Sequence, residues 1–359
     1  MKVIHVFSSL GYGGVETHAV TIAKHSVGDD QKPIFCALNQ GGAAADKIVQ
    51  HGCKVKILGY RTKIPNLSLL IKLIVFFREE SPDVVHAHGG EANFHGLLAA
   101  FIARVPVRVG EEIGIPTHSK FARMVFKSVY SVSSQVVAIS DSVKDWLIDS
   151  GEVGKGKVTR IYNPVDKVPP DLILAPPDPD EKFRLTFVGR LEPVKNPLSL
   201  IAAVPLLLEK GVPVELWLVG DGSLMEECLS LCSLLKVEDS VKLKGYSDDP
   251  FSLIVQSNLY VQPSITEGFG IALVEAMICK TPVLATSVGG APEIINHGSN
   301  GWLTEHTDAE SLASSIYDIW CVSDQLRDYG LVAYDSVKGR FDPLNYMAEL
   351  KSLYLNLGD

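Results

Sequence analysis

The chain has 359 residues, 46% hydrophobic and 21% charged, with a formal net charge of −9. That composition excludes a disordered or fibrous chain, and the length exceeds what one hydrophobic core ordinarily fills, so two domains are expected. The charge is uneven: Met1–Val165 holds 19 Lys and Arg against 14 Asp and Glu, a local balance of +5, and the remainder is acidic. A basic N-terminal half suits an anionic partner or a membrane surface, whereas the acidic chain as a whole gives no reason to expect nucleic acid.

Taken in order, MKVIHVFSS opens as a β-strand at 3–9. It lacks the longer apolar run and small-residue cleavage site of a secretory signal. PIFCAL (33–38), KVKIL (54–58), DVVHAH (83–88), VRVG (107–110) and QVVAIS (135–140) read as further strands. They are nearly continuous apolar runs, as expected where both sheet faces are covered. Helices at Glu16–His25 and Asn66–Glu80 fall between them. This βαβ alternation predicts a doubly wound parallel sheet. The most apolar stretch, Asn66–Phe77, contains Lys72 and falls short of the ~20 residues that span a bilayer. The chain is therefore expected to be cytoplasmic, touching a membrane only from its surface.

A Pro- and Asp-rich stretch, 163–182, resists helix and sheet alike and reads as an interdomain linker. A second strand set follows at 185–190, 214–220, 241–245, 258–264 and 282–287, with helices at Asn196–Glu209, Ser223–Leu235, Gly270–Ile278 and Ala309–Trp320. The expected division is 1–165 and 166–342, with a helix at 343–359 returning to the first domain. On that helix Leu344, Met347, Leu350, Leu353 and Tyr354 form the apolar stripe. Six cysteines, none in a CxxC pair, are expected to be reduced and buried rather than zinc ligands.

Four segments carry residues suited to chemistry. After the first strand, Gly11, Gly13 and Gly14 allow a sharp turn into a helix whose free N–H groups favour an anion. VGRLEPVKN places Gly189 and Arg190 at a strand end with Lys195 five residues on; a planar fork and a point charge suit a diphosphate. SITEGFGIALVEAM joins Glu267, a tight loop through Gly268, Phe269 and Gly270, and a helix start at Ile271 and Ala272, with Glu275 one turn further. SVGGAPEII adds a glycine pair and Glu293. Asp178 and Asp180 match an Asp-x-Asp metal pattern, but in the linker rather than at a strand end, so no metal and no cofactor is expected.

Together these segments resemble retaining glycosyltransferase family 4, also called glycosyl transferases group 1, with the GT-B fold. The likeness runs nearly end to end: GGVE (13–16), DVVHAHG (83–89), VGR with Lys195, VGDGS (219–223), Glu267–Glu275, VGGAPE (288–293) and NGWL (300–303). The resemblance implies two Rossmann-like domains facing across a cleft. It implies that Arg190 and Lys195 bind the donor diphosphate, that Glu275 binds the ribose and that Glu267 meets the transferred sugar. Gly13 and Gly14 would line the diphosphate, and the backbone of Ile271 and Ala272 would hold phosphate. His88 would contact sugar or acceptor. Where the family commonly has a His after the fifth strand, Glu112 stands instead, or Glu111 if the alignment shifts by one.

The implied reaction is metal-independent, retaining transfer of a hexose or N-acetylhexosamine from a UDP-sugar, with a GDP-sugar second, to an acceptor hydroxyl. A lipid-linked saccharide of bacterial surface polysaccharide synthesis is the expected acceptor. The alternatives are a GT-B nucleotide-sugar epimerase and an inactive nucleotide-sugar-binding protein. Labelled donor and acceptor separate the three.

Overall fold

The computed structural model describes residues 1–11, 13–26, 32–168 and 182–358. Asp178 and Asp180 lie outside the described residues. The chain forms two compact units, Met1–Val165 with Phe341–Asp359, and Asp166–Arg340. No described helix is long and apolar enough to cross a membrane.

Unit 1 is a seven-stranded parallel sheet. Its strands are β1 Val3–Phe7, β2 Ile34–Ala37, β3 Lys54–Ile57, β4 Val84–His88, β5 Val107–Glu112, β6 Gln135–Ala138 and β7 Val158–Arg160, in the order β3-β2-β1-β4-β5-β6-β7. The apolar run ends the fifth strand at Gly110; the sheet carries it on to Glu112 because Gly110, Glu111 and Glu112 pair with β6. Helices cover both faces, and side chains cap three of them: Asn66 accepts from Leu69 N–H, Ser119 from Ala122 N–H and Ser140 from Val143 N–H. Phe7, Ile22, Phe35 and Ile48 lie at the centre of one core. The terminal helix Pro343–Gly358 belongs to it through Tyr346, Leu350 and Tyr354. The stripe is thus offset from the expected one: Leu344 is 62% exposed and Tyr346 is buried in its place.

Unit 2 is a six-stranded parallel sheet. Its strands are β8 Phe183–Val188, β9 Val214–Val219, β10 Val241–Gly245, β11 Leu259–Gln262, β12 Val283–Thr286 and β13 Trp302–Thr304, in the order β10-β9-β8-β11-β12-β13. Leu185, Phe187, Leu216, Leu218, Val261 and Leu284 fill its core with the helix Pro197–Glu209. Two strands have no counterpart in the sequence reading, β7 and β13, both three-residue edge strands that are too short to show an apolar run.

Both orders reverse direction once, between β1 and β4 and between β8 and β11. Ligands of open parallel sheets bind beyond the carboxyl ends of strands at such a reversal, so the residues following those strands define the candidate site. Five cysteines are buried thiols, as expected; Cys321 is exposed.

Candidate functional site

In unit 2 the reversal lies between β8 and β11. Gly189 and Arg190 leave the end of β8, Arg190 exposed, and a short turn over Pro193–Lys195 brings Lys195 back. Beyond β11, Glu267 is 8% exposed. Its Oε2 accepts from Lys195 Nζ at 2.6 Å, Gln262 Nε2 at 3.0 Å and Ser264 Oγ at 3.2 Å. The two residues separated by 72 positions thus form one charge-assisted pair. Nothing in the sequence marks Gln262 or Ser264 except their place in the stretch that leads from the end of β11 to Glu267.

The loop after Glu267 is shaped by contact. Gly289 has φ +54, and a Cβ there would stand 1.6 Å from the Glu267 carbonyl oxygen. Gly290 N–H donates to that same oxygen at 3.3 Å. The second glycine pair of the sequence therefore packs directly on the Glu267 loop. Phe269 is buried, so only its backbone is available to a ligand. Gly270, at φ +105, turns the chain into the helix Ile271–Ile278, which has no side-chain cap. Its first N–H groups, from Ile271 and Ala272 onward, have no intrahelical acceptor and present the positive helix end. Glu275 sits one turn along, half-buried, its pKa raised to about 7 by burial and by Asp166.

In unit 1, Gly13 (φ +142) precedes the helix Gly14–His25, again without a side-chain cap. Glu16, one turn in, accepts from Ser9 Oγ at 3.0 Å. His88 is placed differently from expectation. It is 1% exposed, with Nε2 2.9 Å from His5 Nδ1 and Nδ1 3.0 Å from Glu111 Oε1. Both ring nitrogens are engaged inside the protein and none is presented to a sugar. Burial lowers the His88 pKa to about 3, against the opposing pull of Glu111.

Glu111 and Glu112 separate for a geometric reason. Successive strand side chains point to opposite faces. Glu111, paired in register with His88, shares its face. Glu112 points the other way, where it accepts from Tyr130 O–H and, at 3.0 Å, from Asn93 Nδ2. It is 4% exposed, and burial raises its pKa to about 7. Glu112, expected to stand beside the reacting sugar, is thus buried in this structure and held by Tyr130 and Asn93.

Taken together, the twin Rossmann-like units, each with its strand reversal, are those of the GT-B class. Residues 174–328 match the family Glycosyl transferases group 1, and residues 12–168 match Glycosyltransferase Family 4. The chain is 30% identical over 273 residues to an uncharacterized glycosyltransferase of Methanocaldococcus jannaschii, covering 70% of this chain and 68% of that one. It is 26% identical over 317 residues to the capsular polysaccharide biosynthesis glycosyltransferase CapM of Staphylococcus aureus, 80% of each. Among solved structures, Anabaena HepE in complex with UDP-glucose superposes with a TM-score of 0.84 at 25% identity, over 99% of this chain and 100% of that one. The chain belongs to glycosyltransferase family 4 and is a GT-B glycosyltransferase.

Proposed function

We propose that the protein transfers a hexose or N-acetylhexosamine from a UDP-sugar to an acceptor hydroxyl with retention of configuration and without a metal ion. The observation that carries this reading is the corner where Arg190, Lys195, Glu267 and the uncapped helix Ile271–Ile278 follow β8 and β11. Breaking a glycosidic bond to a nucleoside diphosphate builds negative charge on the leaving phosphate. Two cations and a row of backbone N–H groups stabilise such charge, and stabilisation of that kind ordinarily dominates the rate enhancement.

Glu267 is held by Lys195, Gln262 and Ser264 through one oxygen only, so its other oxygen is available to sugar hydroxyls. Glu275, when ionised, accepts from both ribose hydroxyls. The familiar two-carboxylate retaining scheme needs a nucleophilic carboxylate ~5 Å from its partner. In this reading Glu267 is committed to Lys195 and Glu275 to the ribose, so a front-face displacement fits better, with the departing phosphate taking the acceptor proton. HepE binds UDP-glucose, which favours uridine over guanosine donors.

The acceptor we assign is a lipid-linked saccharide of surface polysaccharide synthesis. Two relatives support this: CapM, and a UDP-Gal:α-D-GlcNAc-diphosphoundecaprenol α-1,3-galactosyltransferase of Escherichia coli, 25% identical over 313 residues. On the helix Lys120–Ser131, Phe121 and Met124 are 75% and 68% exposed beside Lys120, Arg123 and Lys127, the composition of a surface that rests on anionic lipid.

The deciding experiment incubates the enzyme with labelled UDP-sugars and lipid-linked saccharides, with and without excess chelator. Transfer with retained anomeric configuration, undiminished by brief chelation, is the expected result. Donor isomerisation without acceptor would mark an epimerase, and activity restored only by magnesium or manganese would refute metal independence.

A further inference from the structure

Unit 1 contains a cluster that the transfer reaction does not use. The parallel register sets His5 beside His86, and Phe7, His88 and Glu111 in the next row. Residues two apart on a strand share a face, so His5, His86, His88 and Glu111 all project together. His18 comes down on them from the helix Gly14–His25, and Tyr346 and Tyr354 from the terminal helix. All of these side chains are buried.

Three histidine nitrogens converge on one carboxylate. His88 Nδ1 lies 3.0 Å and His18 Nδ1 3.6 Å from Glu111 Oε1, and His86 Nε2 lies 3.3 Å from Glu111 Oε2. One ligand atom from each of His18, His88 and Glu111 falls within 4.8 Å of the others. In a tetrahedral zinc site, with bonds of ~2.0–2.1 Å, neighbouring ligand atoms stand ~3.3 Å apart. The His88 and His18 spacings to Glu111 Oε1, 3.0 and 3.6 Å, bracket that value.

Two further observations point to a ligand. His86 Nε2 and Glu111 Oε2 are buried and close to each other, yet neither makes a hydrogen bond. The far nitrogen of each converging histidine is also held from behind. His18 Nε2 is 2.8 Å from Tyr346 Oη, His86 Nδ1 is 2.6 Å from Tyr354 Oη, and His88 Nε2 is 2.9 Å from His5 Nδ1. Ligating histidines are oriented in this way by a partner on the second nitrogen. Among the described residues, Glu111 pairs with histidines and with no Lys or Arg. A buried carboxylate without a cation is costly, and a divalent ion bound there offsets that cost.

We propose that unit 1 holds a structural zinc ion ligated by His18, His88 and Glu111, with His86 beside Glu111 Oε2 and with Tyr346 and His5 orienting the ligating imidazoles. Imidazole nitrogens with one carboxylate suit zinc. The ligands come from the helix Gly14–His25 and from β4 and β5, so the ion ties that helix to the sheet, and the terminal helix joins through Tyr346.

The test uses the full chain without an affinity tag, unfolded in guanidinium with chelator and refolded with or without Zn2+. Elemental analysis should then find one zinc per chain and a higher Tm than the metal-free protein. Co2+ in place of zinc should give the visible absorption of a four-coordinate N/O site. Glu111→Gln keeps the size and drops the charge, and should lose the ion. Tyr346→Phe keeps every ligand, so it should fold and bind zinc ~10-fold more weakly; it decides the matter if Glu111→Gln does not fold. A folded wild-type chain that takes up no zinc and shows no cobalt bands would overturn the site, leaving the cluster joined by protons alone. Equal zinc affinity in wild type, Glu111→Gln and Tyr346→Phe would overturn it as well.

Discussion

Arg190 and Lys195 differ before any ligand arrives. Arg190 is exposed, whereas Lys195 is bound to Glu267 at 2.6 Å. Alanine at either position should lower turnover by ~100-fold or more, comparable to removing one donor from an oxyanion site, with Tm little changed for Arg190→Ala. Steady-state rates near wild type in both purified variants would remove the diphosphate assignment. In the proposed reading, Glu267 takes the sugar of the donor and Glu275 the ribose. Calorimetry with UDP should show weakened binding for Glu275→Ala and nearly intact binding for Glu267→Ala, which instead loses transfer. The opposite ordering would reverse the roles. The raised pKa of Glu275, about 7, adds a pH dependence of known sign. Only the carboxylate accepts from both hydroxyls, so affinity for a UDP-sugar, which has no phosphate proton to lose near neutrality, should strengthen by up to ~10-fold from about pH 6 to about pH 8. In Glu275→Gln that rise should vanish.

At the scale of elements, the donor corner depends on two loops fitted against each other. A Cβ at Gly289 would meet the Glu267 carbonyl oxygen at 1.6 Å, and the residue's φ of +54 is itself unfavourable for a side chain. Gly289→Ala should therefore cost about 2 kcal/mol or more, lowering Tm by roughly 4–8 °C, and should weaken UDP binding because the Glu267 loop must move. Gly298 supplies the control. It also has positive φ, +75, but nothing lies within 4 Å of its Cβ position, so Gly298→Ala should cost only about 1 kcal/mol and leave UDP binding alone. Thermal melts and calorimetry on the pair separate backbone strain from loop displacement. Equal losses in the two variants would show that the contact with Glu267 has no special weight.

For the molecule as a whole, the charge division and the helix Lys120–Ser131 predict a preference for anionic bilayers. Sedimentation with vesicles should capture the protein when anionic lipid is present and much less with neutral lipid. Added salt should weaken capture, since surface attraction decays within ~8–10 Å at physiological ionic strength. Replacing Lys120, Arg123 and Lys127 by Glu should abolish it without loss of UDP binding. Capture that ignores lipid charge would refute the basic surface as the cause.

Much of this protein is legible in the amino-acid order. Strand positions, the parallel class and the Arg190, Lys195, Glu267 and Glu275 group follow from apolar runs of fixed length and from glycines and charges placed directly after them. Those are local signals, and strands β1 to β6 and β8 to β12 are strong enough in them to be read. The edge strands β7 and β13, at three residues each, carry no such signal. The side-chain assignments of the histidine cluster were decided elsewhere. His5, His86, His88 and Glu111 meet only because β1, β4 and β5 align in one register, and Tyr346 and Tyr354 join them only because a helix more than two hundred residues away in sequence returns. Whether Glu111 or Glu112 faces the histidines depends on a one-residue phase of the pleat, which extending β5 to Glu112 settles. Spacing along the chain determined which elements form; register and packing decided which side chains touch, because those contacts join residues that no local pattern connects.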